Sequence, residues 1–250
     1  MRRLVAGLAG IVLFALAVAA FVPASMVDAR LAARTGAALR VAQAQGTVWN
    51  GRGVLTPSDG SWRMPLAWRI APLSLARGVI DVTLAPVDPA ADAPRGRVQL
   101  ERDRLRAEGI AFTLPVRALA ALTRGHAALA GGDVEVRADA LALALENGTG
   151  GVVAQWDNAR LHLPGQAVVD LGTVSARLGV RGNELRGPIA SRGGQVSVSG
   201  ELVLGMSANR ADLELAPEPS ASPAVRAMLA ALGPSNARGA VKLRVERGAR

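Results

Sequence analysis

The residues able to do chemistry are few and scattered. The chain has two histidines and no cysteine. A metal centre or a general base needs such groups gathered with acids at ligand spacing. His126 follows Arg124-Gly125 in a loop pattern, and His162 stands on the polar side of a strand pattern beside Arg160. Neither has carboxylates at a spacing that would complete a site, so both read as solvated surface residues. Glu101 and Asp103 share one side of a strand end, but Arg102 and Arg104 flank them. That arrangement is a charge-balanced surface rather than an acid–base pair. Gly131-Gly132 and Gly193-Gly194 precede strand patterns, whereas a phosphate cradle needs the free N–H groups of a helix start. Asn147-Gly148-Thr149 has the form of a glycosylation acceptor, and a turn is the simpler account. No nucleophile elbow, P-loop or dinucleotide fingerprint occurs. Without cysteine there is no disulfide, thiolate nucleophile or Cys-ligated metal. The sequence therefore predicts a non-enzymatic chain with no metal and no cofactor.

Charge narrows the partners. The formal net charge is +9, nearly all of it arginine, with Lys242 the sole lysine. The arginines are spread along the chain. Outside the N-terminal apolar run only four Trp and Phe112 offer rings on which bases could stack. Nucleic acid is thus not an expected partner. A solvated basic surface suits acidic proteins or anionic lipid headgroups better.

The elements that would hold any site begin with residues 4–22, about 19 residues without a charge or a polar side chain. At about 1.5 Å per residue, a helix of that length just crosses a bilayer's hydrocarbon core. Arg2 and Arg3 precede it, and no charge follows until Asp28. The positive-inside rule then leaves the stub in the cytoplasm and the bulk of the chain across the membrane. Ala17-Val18-Ala19 also has the small-x-small form of a signal-peptidase site. The run continues past it, which favours an uncleaved anchor. Both readings export the rest of the chain.

Beyond the run, Ser25 and Asp28 have capping-box spacing, which predicts a short helix over residues 26–35 ending at Gly36. From Leu39 onward the dominant period is two. Ile80, Val82 and Leu84 alternate with Asp81 and Thr83. The same alternation places Val98 with Leu100, Ile110 with Phe112 and Leu114, and Val134 with Val136. It recurs at Leu141–Leu143–Leu145, Leu161–Leu163, Val174–Leu178, Val196–Val198, Leu213–Leu215 and Val241–Val245. Such runs, separated by Gly, Asn or Pro, are half-buried antiparallel strands with one wet and one dry face. Two later helices are predicted, over residues 115–122 and 224–232. Val116-Arg117-Ala118 and Val225-Arg226-Ala227 lie 109 positions apart, and Trp49 and Trp156 lie 107 apart. That spacing suggests two copies of one β-rich unit.

Several pieces now form a recognisable set. They are the apolar run, Val22-Pro23-Ala24-Ser25, the stretch Gln45-Gly46-Thr47-Val48-Trp49-Asn50-Gly51-Arg52-Gly53, and the weaker pieces around Trp68, Trp156 and Leu232-Gly233. Together they resemble protein N of the bacterial type II secretion system. The resemblance covers nearly the whole chain, and Gly-Thr-Val-Trp-Asn-Gly is its most specific part. It implies a single-span inner-membrane component with a periplasmic domain that aids a machine exporting folded proteins through the outer membrane. It brings no catalytic motif. The implied partners are the other secretion subunits and the inner membrane. The first repeat also resembles, faintly, β-rich periplasmic proteins of the AsmA type, which handle lipid.

The expected fold is mainly β: an N-terminal transmembrane helix, then a twisted, largely antiparallel sheet built from two similar halves with short covering helices. The expected divisions are residues 1–22 for stub and anchor, 23–38 for a juxtamembrane helix, and 39–146 and 147–250 for the two repeats. Candidate site residues are Gly46, Thr47, Trp49, Gly51, Gly53 and Trp156. The glycines permit tight turns, and Trp49 is expected to plug one end of the sheet. They serve either as a structural turn or as a docking edge.

Overall fold

The computed structural model describes residues 21–88, 94–102, 104–116, 130–144, 148–162, 168–205 and 208–248. Contacts divide the chain into two compact units, Met1–Ala93 and Pro94–Arg250. Among the described residues no helix is long and apolar enough to cross a membrane. The anchor expected over residues 4–22 lies, apart from Phe21 and Val22, outside them.

The first unit contains α1 (Ser25–Thr35), β1 (Leu39–Gly46), β2 (Asn50–Pro57), β3 (Met64–Ile70), α2 (Pro72–Leu75) and β4 (Ile80–Ala85). The strands neighbour one another in chain order and run antiparallel. The end of α1 falls where Gly36 predicts. Gly36 and Ala37 adopt φ of 61° and 63°, and the Ala37 N–H reaches back to the Ala32 carbonyl at 2.7 Å. The expected capping box is absent: the helix begins after Ala24 with no side-chain cap. Asp28 is engaged instead with β1, whose backbone and Arg40 outcompete the helix's own N-terminus. Val27 and Leu31, one turn apart on α1, pack with Val41, Trp68, Leu55, Leu66, Ile70 and Leu84.

The second unit contains β5 (Arg95–Leu100), β6 (Arg104–Pro115), β7 (Ala130–Ala144), β8 (Thr149–Leu161), β9 (Val169–Arg181), β10 (Glu184–Gly193), β11 (Val196–Gly205), β12 (Ala208–Pro217), α3 (Pro223–Leu232) and β13 (Val241–Gly248). It is an antiparallel meander in strict chain order. Register makes the two faces explicit. One row of directly opposed residues runs Phe112, Val136, Ala154, Ala176, Ile189, Gly200, Leu213, Leu243 across β6 to β13. The adjacent row, on the other face, runs Thr113, Glu135, Gln155, Ser175, Ala190, Ser199, Glu214, Lys242. Period-two alternation held in register over eight strands thus builds one apolar and one polar surface.

Helix α3 covers part of the apolar face. Ser222 caps it by accepting the Val225 N–H at 3.3 Å, and Pro223 occupies its first turn. Val225 and Leu229 sink among Val169, Val174, Val196, Val198 and Val241. Ile189 and Leu213 pack against this core, and beyond it Phe112, Val136, Leu202 and Leu243 are half-buried.

One expectation shifts here. Pro115 closes β6 opposite Asp133 instead of opening a helix, because the alternation of Ile110, Phe112 and Leu114 carries the ladder through it. Residues 117–129, which hold the rest of that expected helix and His126, lie outside the described residues. The compact units meet after Ala93, whereas the proposed repeat boundary at Glu146 and Asn147 falls between β7 and β8, two paired strands of one unit.

Candidate functional site

The most specific sequence stretch forms the turn between β1 and β2, and hydrogen bonds hold it from three directions. Inside the turn, the Thr47 N–H donates to the Asn50 carbonyl at 3.0 Å, and the Asn50 N–H donates to the Thr47 hydroxyl at 3.1 Å. From the N-terminal side, the Val48 N–H donates to the Val22 carbonyl at 2.9 Å, and the Ala24 N–H donates to the Gly46 carbonyl at 3.1 Å. The residues that follow the apolar run are thereby bridged, Pro23 against Thr47. From β3, the Ile70 N–H reaches the Trp49 carbonyl at 2.7 Å, and the Trp68 indole N–H reaches the Val48 carbonyl at 2.9 Å.

The glycines are there for space. A Cβ on Gly51 would overlap the ring of Trp68 and come within 2.9 Å of the Thr47 carbonyl oxygen. A Cβ on Gly53 would lie 2.6 Å from a Val41 methyl. Gly46 combines φ of 87° with the Asn50 carbonyl oxygen 2.5 Å from its would-be Cβ. The tryptophan that fills this end of the sheet is Trp68, 5% exposed. Trp49 is only half-buried in the turn. Its backbone carbonyl is used by β3, while Trp68 stands opposite Gly51 and takes the buried position.

Trp156 lies in the other unit and uses the same device. Its indole N–H donates to the Gly131 carbonyl at 2.9 Å, and the ring packs against the α3 core. Beside it Asn158 takes φ of 49° at a register shift in β8. The candidate residues therefore form one cluster at the β1–β2 turn plus a separate Trp156. Sequence reasoning gave Trp68 only as a weak match. The signal available was its indole, which needs a buried acceptor.

The outer edge of β1 is sealed. The Leu39 N–H donates to the Thr35 hydroxyl at 3.2 Å and the Val41 N–H to Asp28 Oδ1 at 2.8 Å. Arg40 grips the same carboxylate with both arms, Nε to Oδ1 at 2.8 Å and Nη2 to Oδ2 at 2.6 Å. The bond to Arg40 foremost, with a lesser share from the Val41 N–H, holds the Asp28 carboxyl below the usual range although burial pushes the other way. Gln43, at φ of 53°, adds a register shift that interrupts the edge.

Reactive chemistry has little to work with. Among the described residues no three or more His, Cys, Asp and Glu gather at metal-binding distance. His162 is exposed, and the Glu101 N–H closes the β5–β6 turn on the Arg104 carbonyl at 2.8 Å. Asp103 and Asn147 lie outside the described residues.

The family model of the type II secretion system (T2SS), protein N, matches residues 37–244, well over half of the chain. No curated protein and no solved structure gives a significant match. The matched span takes in β1, the clamped turn, Trp68, Trp156 and α3, and on that span the chain belongs to the type II secretion system protein N family.

Proposed function

We propose that this chain is a non-enzymatic accessory component of the type II secretion machine, tethered to the inner membrane by residues 4–22 and displaying its β units in the periplasm. Family membership supports the secretion role. The observation that carries the tethered form is the clamp at the β1–β2 turn. Val22, at the very end of the apolar run, and Ala24, just beyond it, are hydrogen-bonded to Val48 and Gly46 of the turn. A tether fastened this close to the sheet sets the first unit at the membrane surface with almost no slack. Phe21, the last aromatic of the run, is 79% exposed, as a residue with an apolar medium around it would be. The partners are other secretion subunits, met through the polar face.

Deleting the gene tests the role: secreted enzymes should accumulate in the periplasm. Unchanged secretion together with unchanged assembly of the other subunits would overturn it. A reporter enzyme fused after Arg250 should be active only if exported; a cytosolic reporter would overturn the topology.

A second reading has its own observation. The half-buried apolar face of the second unit, beyond the reach of α3, suits acyl chains, as a lipid-binding or lipid-guiding module of the AsmA kind would need. In this reading Phe112, Val136 and Leu243 of that row line the lipid path.

A further inference from the structure

β1 and β13 are treated in opposite ways. Each has a strand neighbour on one side only, β2 and β12 respectively. The outer edge of β1 is occupied by Asp28, Thr35 and Ala24 and broken at Gln43. Such devices stop another strand from adding. β13 lacks them. Its eight residues contain no proline, its pairing with β12 shows no register shift, and among the described residues a bridge from Ser235 reaches its start at Val241. From Lys242 to Glu246 no other described strand pairs with its outer edge. Val245 is 49% exposed there. An open edge of this length is a template for one more strand.

The side chains specify which strand fits. Lys242-Leu243-Arg244-Val245-Glu246 is self-complementary when read antiparallel. Opposed about Arg244, Lys242 meets Glu246 twice on the polar face, and Leu243 meets Val245 twice on the apolar face. Shifting one copy by one residue sets leucine against arginine. Centring on Leu243 opposes Lys242 to Arg244, two like charges. The axial Arg244 is already neutralised within its own chain, by Asp212 at 3.4 Å and Glu246 at 2.8 Å. Apolar and opposite-charge pairs across a strand interface are the favourable ones.

We propose that the β13 edge is the interface for a second copy of this chain, paired antiparallel with Lys242 opposite Glu246. Because the β1 edge is blocked, addition stops at two copies and the contact closes on itself. The apolar faces of the two second units then join across the two β13 strands. The inference is independent of the secretion role and would stand if that role failed.

The absence of native cysteine makes the test clean. Full-length chain is purified in detergent and sedimented over a concentration series, and a dimer is expected. K242E and E246K each set like charges opposite one another, so each alone should dimerise about tenfold more weakly or worse. An equimolar mixture of the two restores both attractive pairs and should recover the dimer. In parallel, K242C mixed with E246C should oxidise to a disulfide dimer, since opposed residues lie within disulfide reach. K242C alone should not, because its two copies sit about 13 Å apart along the strands. A monomer at every concentration would overturn the proposal. So would variants that dimerise like the native chain, or a disulfide formed by K242C alone. Capture of an unrelated extended peptide at Lys242 by a monomeric chain would assign the edge to another partner and overturn it as well.

Discussion

The indole N–H of Trp68 donates to the Val48 carbonyl at 2.9 Å, and its ring fills the space that any side chain at Gly51 would need. Trp68 and Gly51 are also opposed in register on β3 and β2. One ring thus links the turn, the strand pair and, through the core it shares with Ala24 and Val27, the start of α1.

Truncating that ring should loosen all three. W68F keeps most of the packing but orphans the Val48 carbonyl, at a cost of about 1 kcal/mol. W68A should cost about 3–5 kcal/mol. G51A should be comparably damaging, since its methyl has no room beside the ring or the Thr47 carbonyl. Urea unfolding followed by circular dichroism measures each. A G51A chain as stable as the native would refute the steric account.

Asp28 gives the α1–β1 joint an acid sensitivity. Its carboxyl is held below the ordinary range by Arg40 and the Val41 N–H, so it binds a proton less readily folded than unfolded. The stabilisation is complete above the unfolded value, about pH 4, and is lost as pH falls through the depressed folded value. Pepsin should therefore release α1 increasingly at the acid end. In D28N that cleavage should be raised at all pH values and lose its acid step.

The second unit's core should be most sensitive under α3. L229A removes a side chain 1% exposed and should cost about 2–5 kcal/mol. S222A removes the helix cap and should cost about 1 kcal/mol, with S222D close to native because aspartate caps equally well. Denaturant midpoints compare the three; equal losses for L229A and S222A would mean that α3 adds little packing.

The lipid reading predicts co-purifying acyl chains. Solvent extraction and mass spectrometry of the native chain should recover phospholipid, and F112E or V136E should abolish it while leaving the sheet's circular dichroism intact. Native protein free of lipid would remove this reading.

Much of the architecture was legible locally. Period-two alternation is a property of the chain itself, so Phe112, Val136, Leu213 and Leu243 announced their shared face before any pairing was known. Gly36 and Gly233 marked two helix ends for the same reason: backbone preference is written in single residues. Strands without that pattern stayed hidden. β2 carries glycines where packing demands space, and β10 contains Pro188, around which the ladder to β9 lapses between Arg186 and Ile189.

The sequence by itself determined the β character, the absence of familiar catalytic motifs and the resemblance to the family, because each depends on residue types and short spacings. Only the tertiary structure decided that Trp68 rather than Trp49 fills the first core, that Asp28 leaves its helix to cap β1, and that no described strand pairs with the outer edge of β13. Those outcomes depend on which distant backbone groups meet. A carboxylate or an indole takes whichever buried partner the fold brings within about 3 Å, and no local pattern states that choice in advance.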